Sequence, residues 1–377
     1  MTKLKVFGWL VILHFLLSSC GAFSKFSKFG IPESEDYKLF ASRKIENGPQ
    51  HFHFLKPEND LNLGEKIEVD SKKMDASDQK LSLFLKEYKT LSFMIIRNDT
   101  ILYQYFDESK KDSSIVPSFS IAKAFISGLI GIAISEGLIP GTETSITSYF
   151  PELANQGFDL VTIDNLLDHT SGIHFKESKK HVGGNMELYW GKNLSQDVFN
   201  IKPAYPPGEH FEYSNINAQL LALILQRATG MSVSQYLQEK IWKPLGMEYP
   251  ASWSLSNQDS DGIEKGFCCL NARTVDFAKY GRLYLNKGNW NGKQIIPESW
   301  IDQSLKSSKE SGQRLTYHYN WAIGPQKYGS YFAIGLYGQF IYVYPEKKVI
   351  IVRFGKADLN YNPPFLYETM LQICDQL

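Results

Sequence analysis

Residues 117–139 read PSFSIAKAFISGLIGIAISEGLI, an apolar run with a serine and a lysine near its start. Pro117 has the fixed φ that suits a first helical turn, and Gly137 stands near where a helix would stop. The pattern therefore predicts one long buried helix over Phe119 to Ile139. Gly128 and Gly131 would weaken an exposed helix, and close packing against a neighbour accounts for them. Residues three apart share a helix face, which lets the Lys123 ammonium reach the Ser120 hydroxyl. A serine alcohol attacks poorly unless a base takes its proton, and a lysine stripped of part of its hydration can serve as that base. A serine at a helix start also meets free backbone N–H groups and the positive end of the dipole, which favour a developing oxyanion. The Ser-x-x-Lys spacing recurs at Ser77 to Lys80, but flanked by charged residues, and reads there as surface.

Working outward, Leu91 to Phe106 forms two β-rich runs around Asn98-Asp99, a hairpin signature. Strand character returns from Phe332 to Phe354, where Phe340–Tyr344, a Pro-Glu-Lys-Lys turn and Val349–Phe354 make a second hairpin. From about Thr142 to Ser260 the patterning is helical, with Ile163–Leu167 and Asn217–Thr229 spaced for helices and Gly230 stopping the second. The expected fold is α/β in the α+β sense. An antiparallel sheet forms from N- and C-terminal segments, helices flank it, and a mostly helical subdomain over about 142–260 lies between, all within one domain over 77–377.

A second chemical element is Pro207-Gly208 leading to Tyr213-Ser214-Asn215. A Tyr-x-Asn turn can point a phenol and an amide into one cleft, the phenol to relay a proton and the amide to hold a carbonyl. The bare tripeptide is common, and Tyr284-Leu285-Asn286 repeats it.

Taken in order, Ser120-Ile121-Ala122-Lys123, Leu166 to Gly172 (Leu-Leu-Asp-His-Thr-Ser-Gly), Pro207 to Asn215 and Pro244-Leu245-Gly246-Met247 resemble the serine β-lactamase family. That family includes class C β-lactamases, D-alanyl-D-alanine peptidases, certain esterases and the nylon-oligomer (6-aminohexanoate-dimer) hydrolases. The likeness runs from about Leu91 to the C-terminus and implies a β-lactamase/transpeptidase-like fold. It further implies that Ser120 is acylated, that Lys123 helps deprotonate it, that Tyr213 passes the proton to the leaving group and that Asn215 binds substrate. His169 receives no catalytic role. The family's Lys-Thr-Gly or His-Thr-Gly strand motif is replaced by Ala333-Ile334-Gly335-Leu336-Tyr337-Gly338-Gln339, which looks most like the nylon-oligomer branch, as does Asn271-Ala272-Arg273 with Asp276, Ala278 and Gly281. By that resemblance the Leu336 N–H completes the oxyanion hole. Cys268-Cys269 stands where the family would have glycines. The implied activity is hydrolysis of a small amide or ester through an acyl-Ser120 intermediate. The rival readings are a D-alanyl-D-alanine carboxypeptidase or β-lactamase, and a catalytically silent envelope protein that keeps the fold.

Among 377 residues, Lys+Arg and Asp+Glu both total 40, so bulk charge gives no reason to expect a nucleic-acid partner. Lys3 and Lys5 form a short positive region, and Leu4 to Leu17 is a largely apolar run, too short to span a bilayer and suited to a signal peptide over 1–19. Leu17-Ser18-Ser19-Cys20 resembles the lipobox of bacterial lipoproteins, which implies lipidation of Cys20 and attachment to the cell envelope membrane; an ordinary cleaved signal is the alternative. Residues 20–76 are polar, punctuated by Pro32, Pro49 and Pro57, and read as a tether and N-terminal extension. Cys268, Cys269 and Cys374 are odd in number, and adjacent cysteines rarely bridge, so all three are expected to be small buried side chains without a disulfide. No CxxC pair or histidine cluster suggests a metal, and neither a metal nor a cofactor is expected.

Overall fold

A computed structural model describes residues 30–70, 78–175, 184–191, 194, 198–257, 262–307, 316–357 and 362–377. Its larger sheet has seven antiparallel strands in the spatial order Tyr317–His318, Trp321–Ile323, Tyr331–Gly335, Gln339–Tyr344, Val349–Gly355, Thr90–Arg97, Thr100–Phe106. Both expected hairpins are present. Asn98 and Asp99 have φ of 51° and 61°, the left-handed pair that a tight two-residue turn needs to match strand twist. The Val349–Gly355 strand pairs with Thr90–Arg97, joining the ends of the chain in one sheet as the separated strand patterns require.

Alternation along the strands sorts the two faces. Phe93, Ile95, Phe340, Tyr342 and Ile351 meet the Leu81–Glu87 and Pro363–Asp375 helices on one side. Met94, Ile96, Ile341, Val343, Ile350 and Val352 belong to the main core on the other, against the Thr274–Leu285 helix. With both faces covered, the central strands read as nearly continuous apolar runs. Behind the Thr274–Leu285 helix lies Ala122–Ser135, whose residues from Ala122 to Ala133 are all buried. Tyr280 links the two helices: its ring stacks on Phe125 at 3.8 Å and its hydroxyl donates to the Ala124 carbonyl at 2.8 Å. A methyl group on Gly128 would run into the Tyr280 hydroxyl, and one on Gly131 into the Trp300 ring, so packing does explain both glycines.

One helix boundary differs from the sequence expectation. The helix proper spans Ala122–Ser135, preceded by a 3₁₀ turn over Phe119–Ile121, because Phe119 takes a positive φ of 42° and tightens the entry. Within the segment expected as a tether and N-terminal extension, residues 30–70 fold onto the body: Ser42–Ile45 forms an edge strand and Arg43 pairs with the buried Glu264. That strand belongs to a second sheet in the order Ser42–Ile45, Ala251–Ser254, Leu270–Ala272, Val116–Pro117. This small sheet sets Val116–Pro117, just before Ser120, beside the strand that follows Cys268-Cys269.

Helices dominate the middle segment, among them Ile163–Leu167 and Asn215–Thr229. Gly230, at φ 67°, ends the second in the left-handed conformation that glycine adopts without penalty. Asp276 locks two sequence landmarks together. Its carboxylate accepts the backbone N–H groups of Glu248 (2.7 Å) and Tyr249 (3.2 Å), just after the Pro244–Met247 turn. Among the described residues no helix is long and apolar enough to cross a membrane.

Candidate active site

Ser120 sits in the 3₁₀ turn, partly open to solvent, while Lys123 one turn on is buried. The lysine Nζ donates to Ser120 Oγ at 2.9 Å and to the Phe267 carbonyl at 2.8 Å. The same ammonium lies 5.0 Å from the ring centroid of Tyr213, which is itself 38% exposed. Two fixed acceptors and an aromatic face thus confine the lysine headgroup beside the alcohol.

Tyr213 is placed by His169. The two rings stack at 4.7 Å and 17°, and Tyr317 closes on Tyr213 edge-on at 5.8 Å and 84°. The Ser214 N–H donates to His169 Nδ1 at 2.9 Å, so the ring proton sits on Nε2 and is directed at Asn320 Oδ1, also at 2.9 Å. Backbone bonds from Glu212 N–H to the His169 carbonyl (2.8 Å) and from Gly208 N–H to the Thr170 carbonyl (2.7 Å) sew the two loops together. At Gly172, φ 66°, a β-carbon would strike the Tyr205 carbonyl, so only glycine closes this junction. Asn215 opens the Asn215–Thr229 helix, half-buried.

Leu336 is exposed at the tip of the hairpin between Tyr331–Gly335 and Gln339–Tyr344. A β-carbon on Gly335 would stand 2.6 Å from the Ser118 carbonyl, so the absence of a side chain there permits the strand to abut the nucleophile turn. Buried Arg353 holds the tip, donating to the carbonyls of Tyr337 (3.0 Å) and Gly338 (2.7 Å).

One expectation about the cysteines is corrected. Cys268 and Cys269 are joined in a disulfide, and among the described residues only Cys374 is a free buried thiol, which burial pushes up to about 12. Cys269 has φ 73°, in the left-handed region, which explains why glycine suits this turn and how neighbouring sulfurs meet. Of the decoys, Tyr284 is buried in the Thr274–Leu285 helix beside Trp321, and Lys80 is paired with Glu68, while Ser77 lies outside the described residues. Cys20 lies outside them as well.

Sequence reasoning missed Asn320, Tyr317, Arg353 and the Phe267 carbonyl. A lone arginine inside the apolar run 349–354 was the available signal for Arg353. A backbone carbonyl leaves no residue type to read.

Known proteins resemble this chain in sequence and in fold. The β-lactamase family pattern matches residues 84–360, most of the chain. The chain belongs to the β-lactamase family. A curated 6-aminohexanoate-dimer hydrolase from Paenarthrobacter ureafaciens is 23% identical over 293 residues, 72% of this chain and 74% of that protein. A solved Bacillus anthracis structure, provisionally named a 6-aminohexanoate-dimer hydrolase, superposes with TM-score 0.76 at 25% identity, covering 91% of this chain and 92% of its own. A class C β-lactamase mutant, at 18% identity and TM-score 0.56 over 79% and 95% of the two chains, shares the fold. This chain is therefore a β-lactamase-family serine hydrolase of the amidase and esterase kind, similar in sequence and in fold to 6-aminohexanoate-dimer hydrolases.

Burial makes the hydrolase's supporting histidines acid-sensitive. His169 is pushed down to about 3, first by burial and then by the charge of Lys123, with the Asn320 bond opposing. Burial likewise pushes His318, 3.4 Å from Asp168, down to about 4, with Lys306 adding to the effect. Both folded values lie below the ordinary 6.5, so this stabilisation is complete above pH 6.5 and is lost as pH falls toward 4 and 3. At pH 5 each imidazole costs on the order of 2 kcal/mol. Asp36 and Asp276, both raised chiefly by burial, act in the opposite sense. The expected result is a Tm difference between wild type and His318→Gln that shrinks steadily from pH 7 to pH 5. A constant difference would remove His318 from the account.

Proposed function

We propose that the hydrolase cleaves a small amide or ester through an acyl-Ser120 intermediate, and the observation that carries this is the 2.9 Å bond from Lys123 Nζ to Ser120 Oγ. Lys123, in its neutral amine form, takes up the serine proton as the serine oxygen bonds to the substrate carbonyl carbon. The backbone N–H groups of Ser120 and Leu336 receive the oxyanion. As the C–N or C–O bond breaks, Tyr213 gives its phenolic proton to the departing amine or alcohol and recovers one from Lys123. Water then adds to the acyl-enzyme and frees the acid, and Ser120 regains its proton. Asn215 binds the acyl portion of the substrate.

A fluorophosphonate probe should label the peptide containing Ser120; a label elsewhere, or none on folded protein, defeats the reading. The strand Tyr331–Gly335 and Leu336 carry no lysine where the family's cationic motif stands, which removes a charged hydrogen bond to a substrate carboxylate worth about 1.5–3 kcal/mol. Nitrocefin turnover is accordingly expected to be slow. Rapid hydrolysis that vanishes in Ser120→Ala would favour a β-lactamase or D-alanyl-D-alanine carboxypeptidase instead.

We also propose that the protein is lipidated at Cys20 and held to a membrane of the cell envelope. The Leu17–Cys20 pattern supports this, and so does the Cys268–Cys269 disulfide, a bond favoured outside the reducing cytoplasm. Cys20→Ala should move the protein from the membrane to the soluble fraction, and unchanged membrane recovery would refute lipid anchoring.

A further inference from the structure

The turn that carries the acceptor of Lys123 is anchored on both sides of Phe267. Gly266 N–H donates to Gln219 Oε1 at 2.8 Å, and Cys268 N–H to the Lys265 carbonyl at 3.0 Å. Trp253 Nε1 reaches the carbonyls of both Lys265 (2.9 Å) and Cys268 (2.8 Å). The Cys269 carbonyl accepts from Ser254 N–H and Asn271 Nδ2, each at 3.0 Å. Between these anchors the Phe267 carbonyl faces Lys123 Nζ, and the next two residues close a disulfide with Cys269 in the left-handed region. An L-residue with a free side chain leaves that region readily, whereas a ring joining neighbouring side chains removes most of the alternatives.

We infer that the Cys268–Cys269 disulfide is a positioning element for catalysis: it holds the turn in a glycine-like shape so that the Phe267 carbonyl keeps Lys123 on Ser120. This rests on the proposed role of Lys123. Neither sulfur takes part in the reaction, and both residues are buried beside the site. The consequence is that acylation depends on the oxidation state of this pair. Reduction by a phosphine makes the point chemically: the phosphorus gives up two electrons and leaves as its oxide with oxygen from water, and the S–S bond becomes two thiols. Once open, the turn relaxes and the lysine loses its fixed acceptor.

The test uses the full chain. Alkylation of denatured protein followed by mass spectrometry should find Cys268 and Cys269 blocked before treatment with tris(2-carboxyethyl)phosphine and doubly alkylated after it. Fluorophosphonate labelling and p-nitrophenyl butyrate turnover are then compared for wild type with and without phosphine, for C268A/C269A and for C268A/C269G. Reduction and the double alanine are expected to slow acylation about 10–100-fold with KM little changed, the size of loss that a misplaced catalytic group produces. C268A/C269G should recover to within about threefold of wild type, and phosphine should not affect it. The inference is overturned if native protein shows free thiols at this pair, if C268A/C269A acylates at the wild-type rate, or if the glycine variant is as slow as the alanine one. Failure of Ser120 to label in oxidised wild type is a different result, and it removes the proposed function itself.

Discussion

Lys123→Ala is expected to slow acylation of Ser120 by about 10²–10⁴-fold, the contribution of a positioned proton acceptor. Lys123 is buried and its Nζ sits 2.9 Å from the serine oxygen, so bulk water cannot take its place without opening the core. The fold should survive. Removing a buried lysine headgroup also removes its desolvation cost, and one local loss is the hydrogen bond to the Phe267 carbonyl, about 1–3 kcal/mol for an acceptor left unpaired. Lys123→Arg should not rescue the rate, because a guanidinium keeps its proton and cannot accept another. Pre-steady-state labelling with a fluorophosphonate, read beside the thermal midpoint, checks this. An alanine variant within about threefold of wild type would mean that a different base serves Ser120.

That prediction could be framed from sequence because Ser120 and Lys123 are three residues apart on one helix, where local geometry alone decides who meets whom. The two hairpins were legible for a similar reason, since their strands are long and their turns carry Asn-Asp or Pro. The small sheet was not: Ser42–Ile45, Val116–Pro117, Ala251–Ser254 and Leu270–Ala272 are two to four residues each, too short for any period to show. Yet it is this sheet that brings the Phe267 carbonyl to Lys123. The disulfide is not legible because adjacent cysteines seldom bridge, and the left-handed backbone at Cys269 that accompanies the bond does not show in the residue types. Asn320 and Tyr317 escaped notice because they act from the short hairpin at the sheet edge, about 150 and 100 residues in sequence from the groups they serve. Long-range polar contacts of this sort depend on packing that one sequence does not display.

Tyr213→Phe is expected to lower turnover by a further measurable factor of about 10²–10³, with substrate binding and Tm close to wild type. Phenylalanine keeps the stack on His169, the edge contact with Tyr317 and the face presented to Lys123, so only the hydroxyl is lost. His169→Ala is the informative companion. It deletes the stacking partner and leaves the Ser214 N–H, now held by Nδ1, without its acceptor, so both turnover and Tm should fall. A histidine that works only by placing the phenol has nothing left to place once the hydroxyl is gone. The double variant should therefore turn over no more slowly than Tyr213→Phe by more than about threefold, although its Tm should drop as in His169→Ala alone. Multiplicative loss of turnover in the double variant would give His169 a contact with the reacting atoms of its own, against a buried, neutral ring whose two nitrogens are already engaged.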